Sequence, residues 1–486
     1  MLVFPCPAQG HINSMLPFAA ALLDAGVFVT FLHTDHNLRR ASSVAGSPRL
    51  RFLSVPDGLP DDHPRSLGDM MELERSLREV GAVRYRALLA SLSSAGRRPS
   101  QDGSDGVDGD RSFPPVTCVV ADGLLTWAID AAEELGVPAL AFRTSSASSF
   151  LAYQTVPELV ELGELPFPEG GDLDEPVRGV PGMESFLRRR DLPSVCRRRG
   201  GTGGVGLDPI LHVFSKATAH SREVRALVFN TTASLEGAAL AHIAPRMRDV
   251  FAVGPLHAMS SSSAPAPASS LWTEDDGCVA WLDGRADRSV VYVSLGSLAV
   301  ITHDQFTEFL SGLVAAGYPF LWVLRADTVA ASKDQHATPQ EAIRAVGEDK
   351  ARVVAWAPQR DVLRLRAVGC FLTHAGWNST LEAAVEGVPM VCWPFFGDQL
   401  INSRNVGAVW GTGLDMKDVF DRAVVERMVR EAMESAAIRS SAQKLARVVR
   451  RDVSDGGSSA REFERLVRFI KEITMEGAKS DHQNQR

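Results

Sequence analysis

The 486-residue sequence predicts an α/β protein built on two doubly wound parallel sheets, and three observations carry that prediction. Short apolar runs bounded by turn residues alternate with segments of helical periodicity, as buried parallel strands alternate with crossover helices. Two of these units echo one another. Each sets a polar residue four positions after a cysteine, Asp122 after Cys118 and His374 after Cys370, and each closes on Gly-Val-Pro. Between the halves, a Ser/Ala/Pro-rich stretch over 259–270 reads as a linker. The expected organisation is a first domain over 1–255, a linker over 256–271, a second domain over 272–455, a last helix over 456–475 and a disordered tail over 476–486.

Taken in order, residues 1–4 form a strand, 5–10 a loop, and 12–24 a helix with Met15, Leu16, Ala19, Leu22 and Leu23 on one face. Gly26 stops that helix and 27–32 is the next strand. His11 is thereby placed just past the end of the first strand, where open α/β sheets bind ligands. The loop has one glycine, Gly10, and no Gly-x-Gly-x-x-Gly, which counts against a dinucleotide oxidoreductase. Residues 93–115, rich in Ser, Gly, Asp and Arg, read as a mobile loop. A strand over 117–121 leads to Asp122, a helix covers 127–135, and a strand over 139–142 leads to Thr144. Loop signals dominate 151–220, and order returns from Leu227. In the second half, a strand over 289–295 meets the turn Gly296-Ser297. A helix capped by Thr302 and Gln305 follows, with a stop at Gly317 and a strand over 320–324. Amphipathic helices then fill 424–453.

Composition narrows the function. At 45% hydrophobic and 23% charged, the chain is an ordinary globular one. A net charge of −8 argues against a nucleic-acid surface, and the runs Arg188-Arg189-Arg190 and Arg197-Arg198-Arg199 read as solvated loop faces. Asp108-Gly109-Asp110 and Asp172-Leu173-Asp174 follow no strand and also read as solvated loops, so no metal site is expected. The six cysteines are scattered through apolar runs, which fits buried thiols in a reducing, cytoplasmic setting. There is no basic n-region before the early prolines, and no run of about eighteen apolar residues, so neither a signal peptide nor a membrane span is expected.

Residues 356–399 carry the densest chemistry. Trp356-Ala357-Pro358-Gln359 precedes an apolar run over 368–372, then Thr373-His374-Ala375-Gly376-Trp377-Asn378-Ser379, a helix to Glu386, a second run over 390–393, and Asp398-Gln399. Ser379 and Glu382 read as a capping box, which starts the helix near Ser379. His374, Trp377, Asn378 and Ser379 then sit at a helix N-terminus beyond a strand end, a place suited to phosphate. Trp356 offers a flat ring to a base, Glu382 can accept from ribose hydroxyls, and Asp398 and Gln399 can bind a polyol. The set describes a nucleotide sugar. A competing reading leaves Ser379 and Glu382 as caps only.

This segment closely resembles the nucleotide-sugar signature of the plant family 1 UDP-dependent glycosyltransferases. Pro7-Ala8-Gln9-Gly10-His11-Ile12-Asn13 likewise resembles that family's N-terminal motif. The resemblance implies a GT-B fold, two Rossmann-like domains facing across a cleft, with the last helix packed back on the first domain. It implies an inverting, metal-independent transfer of glucose from UDP-glucose to a small hydroxylated plant aglycone, terpenoid, iridoid, phenolic or cyanohydrin. The enzyme would be a cytoplasmic, monomeric hexosyltransferase with no cofactor beyond its donor. His11 would be the base and Asp122 its partner, although alone a loop histidine is more often a surface or capping residue than a catalyst, and a simple cap or turn competes for Asp122. Trp356 and Gln359 would hold uracil and ribose, Glu382 the ribose hydroxyls, and His374, Asn378, Ser379 and Ser297 the phosphates. Trp377, Asp398, Gln399 and Thr144 would lie against the sugar. A tight turn competes for Ser297. Departures from the family pattern are Arg143 where an aromatic residue is usual, Ala375 for Cys, Leu365 for His, and a first strand a few residues short. Two alternatives stand beside this reading: another UDP-sugar donor, or an inactive UDP-sugar sensor.

Overall fold

The apolar runs pair in parallel and are joined through helices, as strands covered on both faces commonly are. The computed structural model describes residues 1–41, 47–93, 113–168, 170–197, 208–259, 271–330 and 338–484. The first sheet takes β1 (Leu2–Phe4), β2 (Val29–Thr34), β3 (Leu50–Val55), β4 (Val119–Asp122), β5 (Ala139–Arg143), β6 (Leu227–Phe229) and β7 (Val250–Ala252) in the order β3-β2-β1-β4-β5-β6-β7. The second takes β8 (Val290–Ser294), β9 (Phe320–Val323), β10 (Ala351–Val354), β11 (Val368–Thr373), β12 (Met390–Cys392) and β13 (Gly413–Asp415) in the order β10-β9-β8-β11-β12-β13. The winding reverses between β1 and β4 in the first and between β8 and β11 in the second, with Val3 opposite Val120 and Leu372 opposite Val293. Ligands bind at such reversals.

Alternation along the strands splits each core in two. Leu2, Phe4, Val119 and Ala121 face one side of the first sheet, while Val3, Cys118 and Val120 face the other. That second side is completed by the chain's last helix, Ser458–Asn484, through Phe463, Leu466, Ile470 and Ile473, an apolar stripe at helical spacing. The C-terminal helix therefore packs on the N-terminal sheet. Its backbone remains helical beyond Met475, through Asn484, where a disordered tail was expected. Glu476, Ala478 and Lys479 favour helix, and the lone Gly477 is too weak a break to stop it. The helix His303–Ala316 has the expected capping box of Thr302 and Gln305 and ends on Gly317 at φ 82.

The arginine runs are a second correction. Arg188 bonds Asp191 and Asp174, Arg190 bonds Asp174 and Asp418, and Arg197 bonds Asp418. At the centre, the buried Lys417 ammonium donates to Asp191 Oδ1 at 2.6 Å, Asp415 Oδ2 at 3.0 Å and the Leu400 carbonyl at 2.9 Å. Asp191 has no exposed side-chain surface, and a carboxylate so placed needs cations around it. The run is thus a tie between the segment before β6 and the far edge of the second sheet. Asp174 is its arginine partner and Asp172 accepts from the Asp174 amide in a turn. Asp108-Gly109-Asp110, Arg198 and Arg199 lie outside the described residues, as does most of the 93–115 loop. All six cysteines are buried free thiols. Among the described residues, no helix is long and apolar enough to cross a membrane.

Replacing Lys417 with Ala leaves Asp191 and Asp415 without their shared cation. We expect a loss of about 3 kcal/mol in denaturant unfolding, with partial recovery in the pair Lys417→Met, Asp191→Asn. Unchanged stability would show that the tie carries no load.

Candidate active site

Both reversals open on one cleft of ≈ 870 Å³ between the sheets. On the first-sheet side, the helix after β1 starts at Gln9, so His11 occupies its first turn and not a loop. Asp122 ends the adjacent β4, and the pairing of Phe4 with Ala121 brings the two together. His11 Nδ1 lies 2.6 Å from Asp122 Oδ2, the carboxylate nearly fully buried and the imidazole about a quarter exposed (24% against 2%). Asp122 Oδ1 also accepts from the Leu124 amide at 3.0 Å. An ionised carboxylate only accepts, so Nδ1 carries the proton and Nε2 keeps a free lone pair. Thr144 Oγ1 stands 3.0 Å from the same Nδ1, which puts it on the histidine. Burial disfavours the charged imidazole, but the charge and hydrogen bond of Asp122 outweigh it and raise the His11 pKa above 6.5. Burial likewise works against ionised Asp122, and His11 reverses this to a net lowering.

On the second-sheet side, the helix Trp377–Glu386 is capped by Gly376 and begins before Ser379. The expected Ser379–Glu382 capping box is absent. Instead Gln359 Nε2 donates to Ser379 Oγ at 3.0 Å and to Glu382 Oε2 at 2.7 Å, joining three predicted residues. The early start follows from His374: a Cβ at Gly376 or at Gly296, whose φ is +79, would overlap the imidazole Nε2. Burial lowers the His374 pKa to about 4, against the pull of its hydrogen bond to the Ser294 backbone, so the ring is neutral. Between them Ala375 is held at φ 59, a position that tolerates only a small side chain easily.

Two predicted ligands that line the cleft also bond across it. The Trp377 indole is buried and donates to the Asn230 carbonyl at 2.8 Å, as a buried indole N–H must find an acceptor. Asn378 donates through Nδ2 to the Gly10 carbonyl at 2.6 Å and accepts from Ser14 Oγ at 2.6 Å. Both side chains tie the sheets together, and what they leave for an anion is the backbone N–H of the helix's first turn. Trp356 stacks on Trp272 with ring centroids 5.9 Å apart. Gln399 Oε1 accepts from the Phe395 and Phe396 amides, Asp398 Oδ2 accepts from Asn402, and Ser297 lines the cleft beside Gly296. Burial raises the pKa of Asp398, and of Glu382 despite the Gln359 bond.

This geometry has known counterparts. A family model described as UDP-glucoronosyl and UDP-glucosyl transferase matches residues 245–452. The myricetin 3-O-rhamnoside 1,2-glucosyltransferase of Crocosmia x crocosmiiflora is 41% identical over 99% of this chain and 97% of its own. The 7-deoxyloganetic acid glucosyltransferase of Catharanthus roseus is 41% identical over 97% of each chain. The chain belongs to the UDP-glycosyltransferase family. The solved structure of Os79 from O. sativa in complex with UDP is 28% identical and superposes with a TM-score of 0.77, covering 98% of this chain and 99% of the other. The two sheets of this UDP-glycosyltransferase are thus the two halves of a GT-B fold.

Two functional positions escaped sequence reading. Ser14 lies one helical turn beyond Gly10, and Asn230 directly follows β6; each is a polar residue at an apolar face or strand end. That placement was the available signal, but neither partner is near in sequence. In this glycosyltransferase a Gly376→Ala change should displace His374 and weaken UDP by about tenfold or more in calorimetry. Undiminished UDP affinity would remove the imidazole from the donor site.

Proposed function

We propose that this UDP-glycosyltransferase transfers glucose from UDP-glucose, with inversion, to a hydroxyl of a small plant aglycone, giving a β-glucoside. The observation that carries the reading is the 2.6 Å His11–Asp122 pair facing, across one cleft, a helix N-terminus beside a neutral histidine. His11 Nε2 takes the acceptor proton as its oxygen attacks C1 of the sugar. Asp122 fixes the tautomer and stabilises the imidazolium, an arrangement of general-base catalysis giving roughly 10²–10⁴-fold in rate. UDP leaves from the opposite face, its growing charge met by His374, Ser379 and the amides of Trp377 and Asn378. Trp356 and Gln359 hold uracil and ribose, Glu382 the ribose hydroxyls, and Asp398 and the Gln399 amide group the glucose. Thr144 and Ser297 complete the two ends of the donor. The backbone of Trp377, and not its ring, would serve the sugar.

The acceptors named for the two relatives are small molecules, myricetin 3-O-rhamnoside and 7-deoxyloganetic acid, which supports a small acceptor here. Six buried free thiols suit a reducing cytoplasm, and we expect a metal-independent monomer. A sensor of UDP-sugars needs no base, so the His11–Asp122 geometry favours an enzyme.

His11→Ala should abolish transfer while UDP still binds in calorimetry; a variant with wild-type turnover would sink the mechanism. The neutral imidazole is the working form, so kcat/KM falls as pH drops through a His11 pKa that lies above 6.5. Asp122→Asn removes the two largest contributions that raise that pKa, leaving Asp398 alone against burial and Arg143, which lower it. The acid limb should therefore move to lower pH while the plateau falls by about 10²-fold. An unmoved limb would show that another group titrates.

A further inference from the structure

Beyond His11 the cleft wall is apolar, formed by Phe150, Tyr153, Val195, Ile210 and Phe214. Arg143 interrupts it. This residue ends β5, directly before Thr144, lines the cleft and is only 5% exposed. Its guanidinium makes two hydrogen bonds among the described residues, both from Nη2, to the Ala217 carbonyl at 2.7 Å and Ser221 Oγ at 2.5 Å. Nε is buried with no partner. Phe150 covers one face, with the guanidinium carbon 4.9 Å from the ring centroid.

A buried cation normally has an anion beside it. Among the described residues, no carboxylate is ion-paired to Arg143. Asp122 is the acid whose charge reaches it, but its oxygens bond His11 and the Leu124 and Cys6 amides and make no hydrogen bond to the guanidinium. Burial lowers the Arg143 pKa to about 10, which still leaves it charged at neutral pH. Capping the carbonyl end of the helix Pro209–His220 explains the Nη2 bonds and nothing more. Gly123 sharpens the case, since a Cβ there would stand 2.6 Å from Nε, so the chain keeps bare backbone where the guanidinium lies.

We propose that Arg143 binds an anionic group of the acceptor, and that the acceptors of this enzyme are hydroxylated carboxylic acids. One guanidinium balances one negative charge, which suits a carboxylate better than a doubly charged phosphate. Nη1 is the donor left for it, since Nη2 is spent on Ala217 and Ser221 and Nε lies against Gly123, so the contact is a single charge-assisted hydrogen bond. Through its neighbour Thr144, Arg143 is joined to His11, so an acid anchored there can present a hydroxyl to Nε2. The apolar wall takes the carbon skeleton between the two. The inference rests on the acceptor-side reading of the cleft given above.

The test compares 4-(hydroxymethyl)benzoic acid and 4-hydroxycinnamic acid, each with its methyl ester, as acceptors for UDP-glucose. In the wild type, kcat/KM should favour the acids by about tenfold or more, the size of a charge-assisted hydrogen bond. In Arg143→Gln the acid-to-ester ratio should fall to about one. A purely structural arginine would lower acid and ester together and keep the ratio. Wild-type enzyme that glucosylates the acids no better than the esters overturns the proposal and needs no variant to fold. Ester transfer that depends on His11 upholds the general function whatever that ratio shows. If neither form is glucosylated, the general reading fails instead. Calorimetric binding of the acids to UDP-loaded protein then decides Arg143: tighter acid binding, lost in Arg143→Gln, supports the proposal, and acid binding no tighter than ester overturns it.

Discussion

Group transfer across this cleft requires two strand-end reversals, one from each sheet, to stay in register with each other. The Asn378 amide is where that requirement becomes a bond. It donates to the Gly10 carbonyl and accepts from Ser14, so one side chain on the donor helix grips the helix that carries His11. Trp377, one residue earlier, grips the end of β6 through Asn230. Each such bond contributes about 0.5–1.5 kcal/mol net, which opening the sheets to water would forfeit. The same two residues keep their backbone amides at the head of the helix. One short segment thus closes the domains with its side chains and offers its main chain to an anion.

The cleft holds its charges unevenly, and the unevenness fits the chemistry. On the leaving-group side the groups are dipoles and a neutral imidazole, since burial holds His374 near a pKa of 4. Such a site is already oriented and gains most when negative charge develops in it. On the attacking side the charges are real: a buried Asp122 beside His11, and a buried Arg143 close enough to act on both. Arg143 lowers the pKa of His11, whereas Asp122 raises it, so an anion bound at Arg143 would shift the balance toward a stronger base. Acceptor binding and proton abstraction are coupled through that triad of charges.

Much of the fold was legible because its signals are local. Apolar runs, the Thr302–Gln305 cap, the Gly317 stop and the order of ligand types from Trp356 to Gln399 all sit within a few residues of what they determine. The errors share the opposite property. Arg188 and Arg190 read as solvated because Asp415 and Asp418, more than two hundred residues later, are invisible to a reading of the run itself. The Ser379–Glu382 spacing suggested a cap, but the space needed by His374 sets glycine at 376 and starts the helix there. Trp377 and Asn378 line the cleft, and what type and position could not show is that their side chains also bond distant partners across it.

The same distinction explains why the donor half is readable and the acceptor half is not. In the proposed reading UDP is met mostly by one continuous segment, with Ser297 and Thr144 outside it, so most of its contacts keep a fixed order in sequence. The acceptor wall is assembled from single residues on separate elements: Phe150 on the helix Ala147–Gln154, Val195 in the turn Ser194–Arg197, and Ile210 and Phe214 on the helix Pro209–His220. No spacing rule links them. Arg143 did stand out in the sequence as a departure from the family pattern, yet a departure has no sign until burial and partners are known. Exposed, it would be a neutral change. Buried beside the His11–Asp122 pair, with no carboxylate ion-paired to it among the described residues, it becomes a statement about the charge of the acceptor.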